Sequence, residues 1–154
     1  MNTKGFSLVE MMITLVIIAI LSAIAVPHFR EMRVKANEAW ALTYVRSWIA
    51  AQENYRLKFQ TYASSDEELI RKGFVAAPDS GNSNPTMCGY SFEIRGGTDI
   101  GAQGKWRWEG WADPIVPGST GRSYYYVTAE DGGIIHTSTT GRASKSSPPL
   151  NYQN

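Results

Sequence analysis

The chain has 154 residues, 15 of them Lys or Arg and 14 Asp or Glu, for a formal net charge of +1. That length suits one modest domain with an appendage, and the near-balance of charge gives no electrostatic basis for nucleic-acid binding. The single cysteine, Cys88, rules out an intramolecular disulfide, and no Cys/His grouping offers ligands for zinc, haem or an iron–sulfur cluster.

Behind the short polar stretch MNTKG, Phe6 to Val26 runs apolar for 21 residues and carries one charge, Glu10. As a helix it spans roughly 31 Å at 1.5 Å per residue, which matches a hydrocarbon core about 30 Å thick. Apolar residues fill it all round, so the pattern is that of a membrane helix and not of an amphipathic one. Lys4, just ahead, favours a cytoplasmic N-terminus. Glu10 is the anomaly. A carboxylate costs roughly 2.5–3.5 kcal/mol at the centre of a membrane helix and less near its edge, so its default reading is functional, with a partner to be named.

Two bland readings compete. In the first, the segment is a cleavable secretory signal. Ala23-Ile24-Ala25 forms an A-x-A-like site behind an apolar region from Met11 to Ser22. Release after Ala25 would free a soluble binding module starting at Val26. Against this, Glu10 offsets Lys4 in the leading segment, and the pattern after Pro27 continues the same helix. In the second, the segment is a plain anchor, which leaves Glu10 without a reason.

After Pro27 the pattern becomes amphipathic. Ala41, Val45, Trp48, Gln52, Tyr55 and Phe59 recur at spacings of three and four, and Leu42 and Ile49 widen the stripe. Glu31 precedes Lys35 by four residues, a favourable surface pair. One helix from about Phe6 to Phe59 would be roughly 80 Å long. The aromatic stripe reads as core packing and not as a cofactor site. Ser64-Ser65-Asp66-Glu67-Glu68 then reads as a capping-box helix start that pairs Ser64 with Glu67. Leu69 and Ile70 are its apolar residues, Glu67–Arg71 and Glu68–Lys72 are its i,i+4 pairs, and Gly73 is its stop.

Pro78 to Pro85 is a loop rich in Gly, Asn, Ser and Pro. Cys88, next, reads as a buried, inert thiol. Four strand patterns follow: Tyr90, Phe92 and Ile94 alternating; Trp106 and Trp108 alternating with Lys105, Arg107 and Glu109; Tyr124, Tyr126 and Thr128 alternating with Ser123, Tyr125 and Val127; and Ile134 to Ser138. Asp131-Gly132 is a hairpin-turn signal between the last two. The expected fold class is α+β: a long N-terminal helix packed on a four-stranded antiparallel sheet whose other face meets solvent. The Ser/Pro-rich stretch Arg142 to Asn154 reads as a weakly ordered tail.

The run Gly5-Phe6-Ser7-Leu8-Val9-Glu10, followed by an unbroken apolar stretch ending at Pro27, resembles the N-terminus of type IV pilins and the related type II secretion pseudopilins. The stretch from Tyr55 through Thr61-Tyr62-Ala63 to Leu69 and Gly73-Phe74 looks like the helix-to-loop region of a large pilin group. The resemblance implies a leader of residues 1–5, cut by prepilin peptidase at the Gly5–Phe6 bond, with N-methylation of the new terminal Phe6. It makes the chain a substrate and not an enzyme. It also explains Glu10, which would face the Phe6 ammonium of a neighbouring subunit during assembly. A subunit out of register would bury an unpaired charge.

The implied organisation is a transmembrane and filament-core helix over 6–27, the amphipathic half of the long helix over 28–59, a head over 60–139 and a tail over 140–154. The implied partners are further copies of the chain in a helical filament, the peptidase and inner-membrane assembly machinery, and membrane lipid before assembly. The precursor would sit in the inner membrane and the filament outside the cell. The expected function is that of a structural pilus subunit, serving motility, attachment or DNA uptake, with the major pseudopilin of a type II secretion system as the alternative. Many pilins carry glycine at the position of Ala19. Here alanine and Pro27 place any filament-linked loosening between about Ala19 and Pro27. Pilins that close their C-terminal region with a disulfide have no counterpart in a chain with Cys88 alone.

No Ser/His/Asp set, carboxylate dyad or phosphate loop presents itself, and no cofactor is expected. Related pseudopilins hold calcium in a sheet-domain loop, but Asp99, Asp113, Glu130 and Asp131 lack a recognisable ligand spacing. Trp106, Trp108, Trp111 and Tyr124 to Tyr126, near Lys105 and Arg107, could form a stacking platform for single-stranded nucleic acid. Half-buried sheet residues are the preferred reading, and no specific nucleic-acid partner is expected.

Overall fold

The computed structural model of the chain describes residues 7–76, 86–96 and 107–151. The chain divides into two compact units, Met1–Arg33 and Val34–Asn154. Helix α1, Leu8–Phe59, contributes to both and continues through Pro27 without a break in helical assignment. In the first unit every described residue is exposed.

The second unit is the head. Its helical stripe buries Ala41, Tyr44, Val45, Trp48, Ala51, Gln52 and Tyr55. The expected stripe thus gains Tyr44 and Ala51. It ends at Tyr55, because Phe59 is exposed and leans on the Tyr55 and Phe74 rings from the edge of the core. A short helix follows, α2 (Asp66–Arg71). Among the described residues five strands come next: β1 (Thr86–Met87), β2 (Tyr90–Gly96), β3 (Trp108–Pro114), β4 (Tyr124–Thr128) and β5 (Ile135–Ser138). They pair antiparallel in sequence order, so the sheet is a meander of four main strands with the two-residue β1 at its edge.

Alternation on the strands sorts the two faces. Tyr90, Phe92 and Ile94 of β2, Trp108 and Ala112 of β3, Tyr125 and Val127 of β4 and Ile135 of β5 join the helical stripe in one core. At its centre the Phe92 ring meets Tyr44 and Trp48 edge-on at centroid distances of 4.8 and 5.7 Å, a favoured aromatic geometry. Gly110 lets the helix come this close. A Cβ there would lie 2.9 Å from two Trp48 ring carbons.

Several local expectations change. The third strand begins at Trp108 and runs on to Pro114, and Trp106 lies outside the described residues. The cap of α2 is Ser65, whose hydroxyl accepts from the Glu68 N–H at 3.3 Å. The Glu68 carboxylate in turn accepts from Ser64 N–H and Oγ at 2.9 Å and from the Tyr55 hydroxyl at 2.7 Å. Glu68 is therefore turned toward the helix start and α1, while Lys72 Nζ lies 5.3 Å from the Phe59 ring. The stop at Gly73 is as expected: Gly73 has φ +77°, its N–H donates to Ile70 O, and Phe74 N–H donates to Leu69 O, closing a Schellman motif.

Asp131-Gly132 does not make a two-residue hairpin. A 3-10 turn over Ala129–Asp131 and two left-handed glycines, Gly132 and Gly133, join β4 to β5. The tight two-residue hairpin is instead Cys88-Gly89, between β1 and β2, with φ +51° and +76°, the positive pair of a type I′ turn. Cys88 is exposed there and not buried, because a turn tip points away from the sheet.

The C-terminal stretch is also more ordered than its composition implies. Through residue 151 it lies along β5, with Thr137 N–H donating to Pro148 O and Leu150 N–H to Ile135 O. Arg142 pairs with Glu93 and Asp113.

Candidate functional site

Among the described residues, the side chains of the apolar half of α1 are exposed. Its most apolar 18-residue window has a mean hydropathy of 2.6 and no buried residue. Leu8 is 75% exposed, and from Val9 to Met32 the large apolar side chains each show half or more of their surface. Leu, Met and Ala are good helix formers, Ile and Val weaker ones, and no charge interrupts the run between Met11 and Pro27. Exposed apolar area on this scale exceeds what a protein leaves in water and marks contact with lipid or with another chain.

Glu10 lies in the first turn of α1, where unpaired backbone N–H groups favour a negative charge. Met11 N–H donates to Ser7 O at 3.2 Å, so the helical bonding reaches Ser7. Gly5 and Phe6 lie outside the described residues. The site residues named from sequence thus divide into Glu10 and Pro27, which sit on α1, and the Gly5–Phe6 bond, whose geometry is not described.

Among the described residues first suspected, the head offers no second site. Trp108 is 2% exposed and Tyr125 is buried in the core, so neither can stack on a base. Trp111 faces the other side of the sheet between two guanidinium groups, with Arg142 Cζ 4.7 Å and Arg95 Cζ 5.4 Å from its ring. The acidic candidates are engaged with bases. Arg142 Nε lies 3.1 Å from Asp113 Oδ2, Lys145 and Arg107 bracket Glu130, and a His136 ring nitrogen lies 2.6 Å from Asp131 Oδ2. Asp99 lies outside the described residues.

Among the described acids of the head, Asp66 is the most deeply buried. Its carboxylate accepts from the Tyr44 hydroxyl at 3.1 Å. Loss of water pushes its pKa up to about 6, against the opposing pull of that hydrogen bond. The Trp48 indole N–H also favours the carboxylate electrostatically, yet it stands outside hydrogen-bond geometry and has no partner.

The apolar half of α1 is long and apolar enough to cross a membrane, and the same helix continues into an α+β head. Comparison with known proteins specifies the class. Residues 1–26 match the family model for the prokaryotic N-terminal methylation motif. The chain is 33% identical over 144 residues to the type IV wide pilus major component PilA4 of Thermus thermophilus, covering 94% of this chain and 95% of that one. It is 34% identical over 81 residues to the type IV major pilin protein PilA of Myxococcus xanthus, covering 53% of this chain and 34% of that one. It is 28% identical over 137 residues to the type II secretion system core protein G of Vibrio cholerae, covering 89% of this chain and 79% of that one. The chain belongs to the type IV pilin family.

Proposed function

We propose that this chain is a structural subunit of a type IV pilus. A precursor is held in the inner membrane by the apolar half of α1 and then polymerised into a helical filament outside the cell. The observation that carries this reading is the wholly uncovered apolar helix with one carboxylate in its first turn. It occurs in a chain that aligns along nearly all its length with a pilus major component. The same surface that holds the monomer in lipid becomes buried against copies of itself in the fibre, so the two states exchange one apolar environment for another.

In this reading residues 1–5 are a leader. Prepilin peptidase cuts the Gly5–Phe6 bond, and the Phe6 amine is then methylated. Glu10, one helical turn on, meets the Phe6 ammonium of a neighbour, and the pairing sets register because either charge alone in apolar surroundings is costly. Residues 6–27 form the membrane and filament-core helix, with Pro27 marking the end of the segment free to loosen. Residues 28–59 are the amphipathic half, 60–139 the head and 140–154 its closing segment. The chain acts as the substrate of its processing enzyme, and its working partners are lipid, the assembly machinery and further copies of itself. Motility, attachment or DNA uptake would be properties of the whole fibre.

The similarity to core protein G along 89% of the chain favours one second reading, the major pseudopilin of a type II secretion system. The test is negative-stain microscopy of cell-surface fibres, with the intact mass and N-terminal sequence of the protein sheared from them. Long fibres built of a chain starting at methylated Phe6 are expected. The same processed N-terminus without surface fibres favours the pseudopilin, and a soluble chain starting at Val26 overturns both readings.

A further inference from the structure

Directly after the apolar run and Pro27, α1 forms a short collar, His28-Phe29-Arg30-Glu31-Met32-Arg33, in which every residue is exposed. Helical geometry sorts it into rows. At 3.6 residues per turn, Arg30 and Arg33 stand one above the other, and Phe29 and Met32 form a second row beside them. Phe29 is 71% and Met32 55% exposed. Glu31 falls about 100° around the helix from Arg30, outside both rows. Among the described residues no ion pair, hydrogen bond or ring contact engages either guanidinium.

Neither insertion nor folding accounts for these two cations. Basic residues beside a membrane span favour its cytoplasmic end, and these lie at the opposite end of the run from Lys4. The positions that α1 buries begin only at Val34. Depth does account for them. Val26 ends the apolar run, and Arg30 and Arg33 follow it by four and seven residues, roughly 6 and 10 Å along the axis. The headgroup layer on each side of a bilayer is about 5–8 Å thick. Helical side chains lean toward the N-terminus, here back toward the membrane. A long arginine stem then brings both guanidinium groups into that layer, and Phe29 and Met32 meet its acyl boundary.

We propose that the collar binds the phosphate of anionic phospholipid headgroups, which Arg30 and Arg33 grip together at the outer face of the inner membrane. The proposal rests on the membrane stage of the pilus reading. Guanidinium suits the task, because its fork donates two N–H groups to two phosphate oxygens and it is more weakly hydrated than an ammonium. An anionic headgroup is favoured over a zwitterionic one, which brings its own cation to the phosphate.

The test uses the full chain, purified from membranes and reconstituted in phosphatidylcholine bilayers. A trace of chain-spin-labelled phosphatidylglycerol or, in parallel, of chain-spin-labelled phosphatidylcholine is added. Electron paramagnetic resonance reads the fraction of each label held at the protein surface. The relative association constant is expected to favour phosphatidylglycerol at least about threefold at low salt and to fall toward one at high salt. Arg30→Gln with Arg33→Gln is expected to remove the preference, while Lys4→Gln, at the other end of the span, leaves it. Equal restriction of the two labels, or a preference that survives the double substitution, overturns the headgroup site and leaves the pilus reading standing. A preference lost with Lys4→Gln alone does the same. A chain that restricts neither label has not entered the bilayer, and that result overturns the membrane reading itself.

Discussion

Asp66 ties the head's stability to pH through one buried carboxyl. Burial raises its pKa to about 6, above an unfolded value near 3.9. An acid shifted upward stabilises the fold fully below its unfolded pKa, and that contribution disappears as pH rises through its folded pKa. At roughly 1.4 kcal/mol per unit, the part at stake is of order 2–3 kcal/mol between about pH 4 and 6. Glu68 and Glu93, held low by Ser64 and Arg142 respectively, act in the opposite sense. Asp66→Asn keeps the shape and removes the titration. Urea midpoints of the detergent-solubilised variant are expected to fall less than those of the parent between pH 4.5 and 7.5, and an unchanged pH slope would contradict the assignment. Cys88 makes a simpler forecast: as an exposed turn residue, it is expected to react fully with a maleimide in the native protein. Labelling only after denaturation would place it in the core. Its position was not legible in the sequence, because Cys is commonly buried and Asn or Asp is the usual partner of glycine in a type I′ turn.

At the scale of elements, the sequence marked where strands and helices lie better than where they begin. Tyr90-x-Phe92-x-Ile94 announced its inward face correctly because alternation is imposed by the pleat. Beyond Glu109, β3 continues as Gly110, Trp111 and Ala112. There Gly110, which admits the Trp48 ring, and the small Ala112 weaken the very alternation that would identify a strand. The α2 cap missed by one residue because Ser64-Ser65 and Glu67-Glu68 are doublets and offer two frames for the same motif. A contact distant in sequence chooses between them: the Tyr55 hydroxyl donates to Glu68 at 2.7 Å. Ser65→Ala is therefore expected to lower stability by about 1 kcal/mol, the usual worth of an N-cap side chain. Ser64→Ala should cost less, since its backbone N–H still reaches Glu68. Chemical denaturation of the two variants side by side decides it, and the reverse order would restore the Ser64 frame.

For the whole molecule, the exposed apolar stretch of α1 was legible from composition, since an unbroken apolar run behind Glu10 announces a helix without a polar face, whereas composition alone left signal, anchor and pilin readings side by side. The docking of the C-terminal stretch on β5 was not, because Thr137 and Leu150 meet Pro148 and Ile135 only in the folded head. Glu10→Ala is expected to leave membrane insertion and leader removal intact while cutting filament yield sharply, and normal pilus numbers from cells carrying only that variant would remove the register role. Gly5→Val is expected instead to block processing, so that the precursor accumulates on an immunoblot. The sheet order has a consequence in time. Because β1 to β5 pair strictly with their sequence neighbours, each new pairing closes a short loop, and short loops close with little entropic delay. A head of this topology can lay down its sheet strand by strand in chain order, on the surface of the helix that precedes it in the sequence.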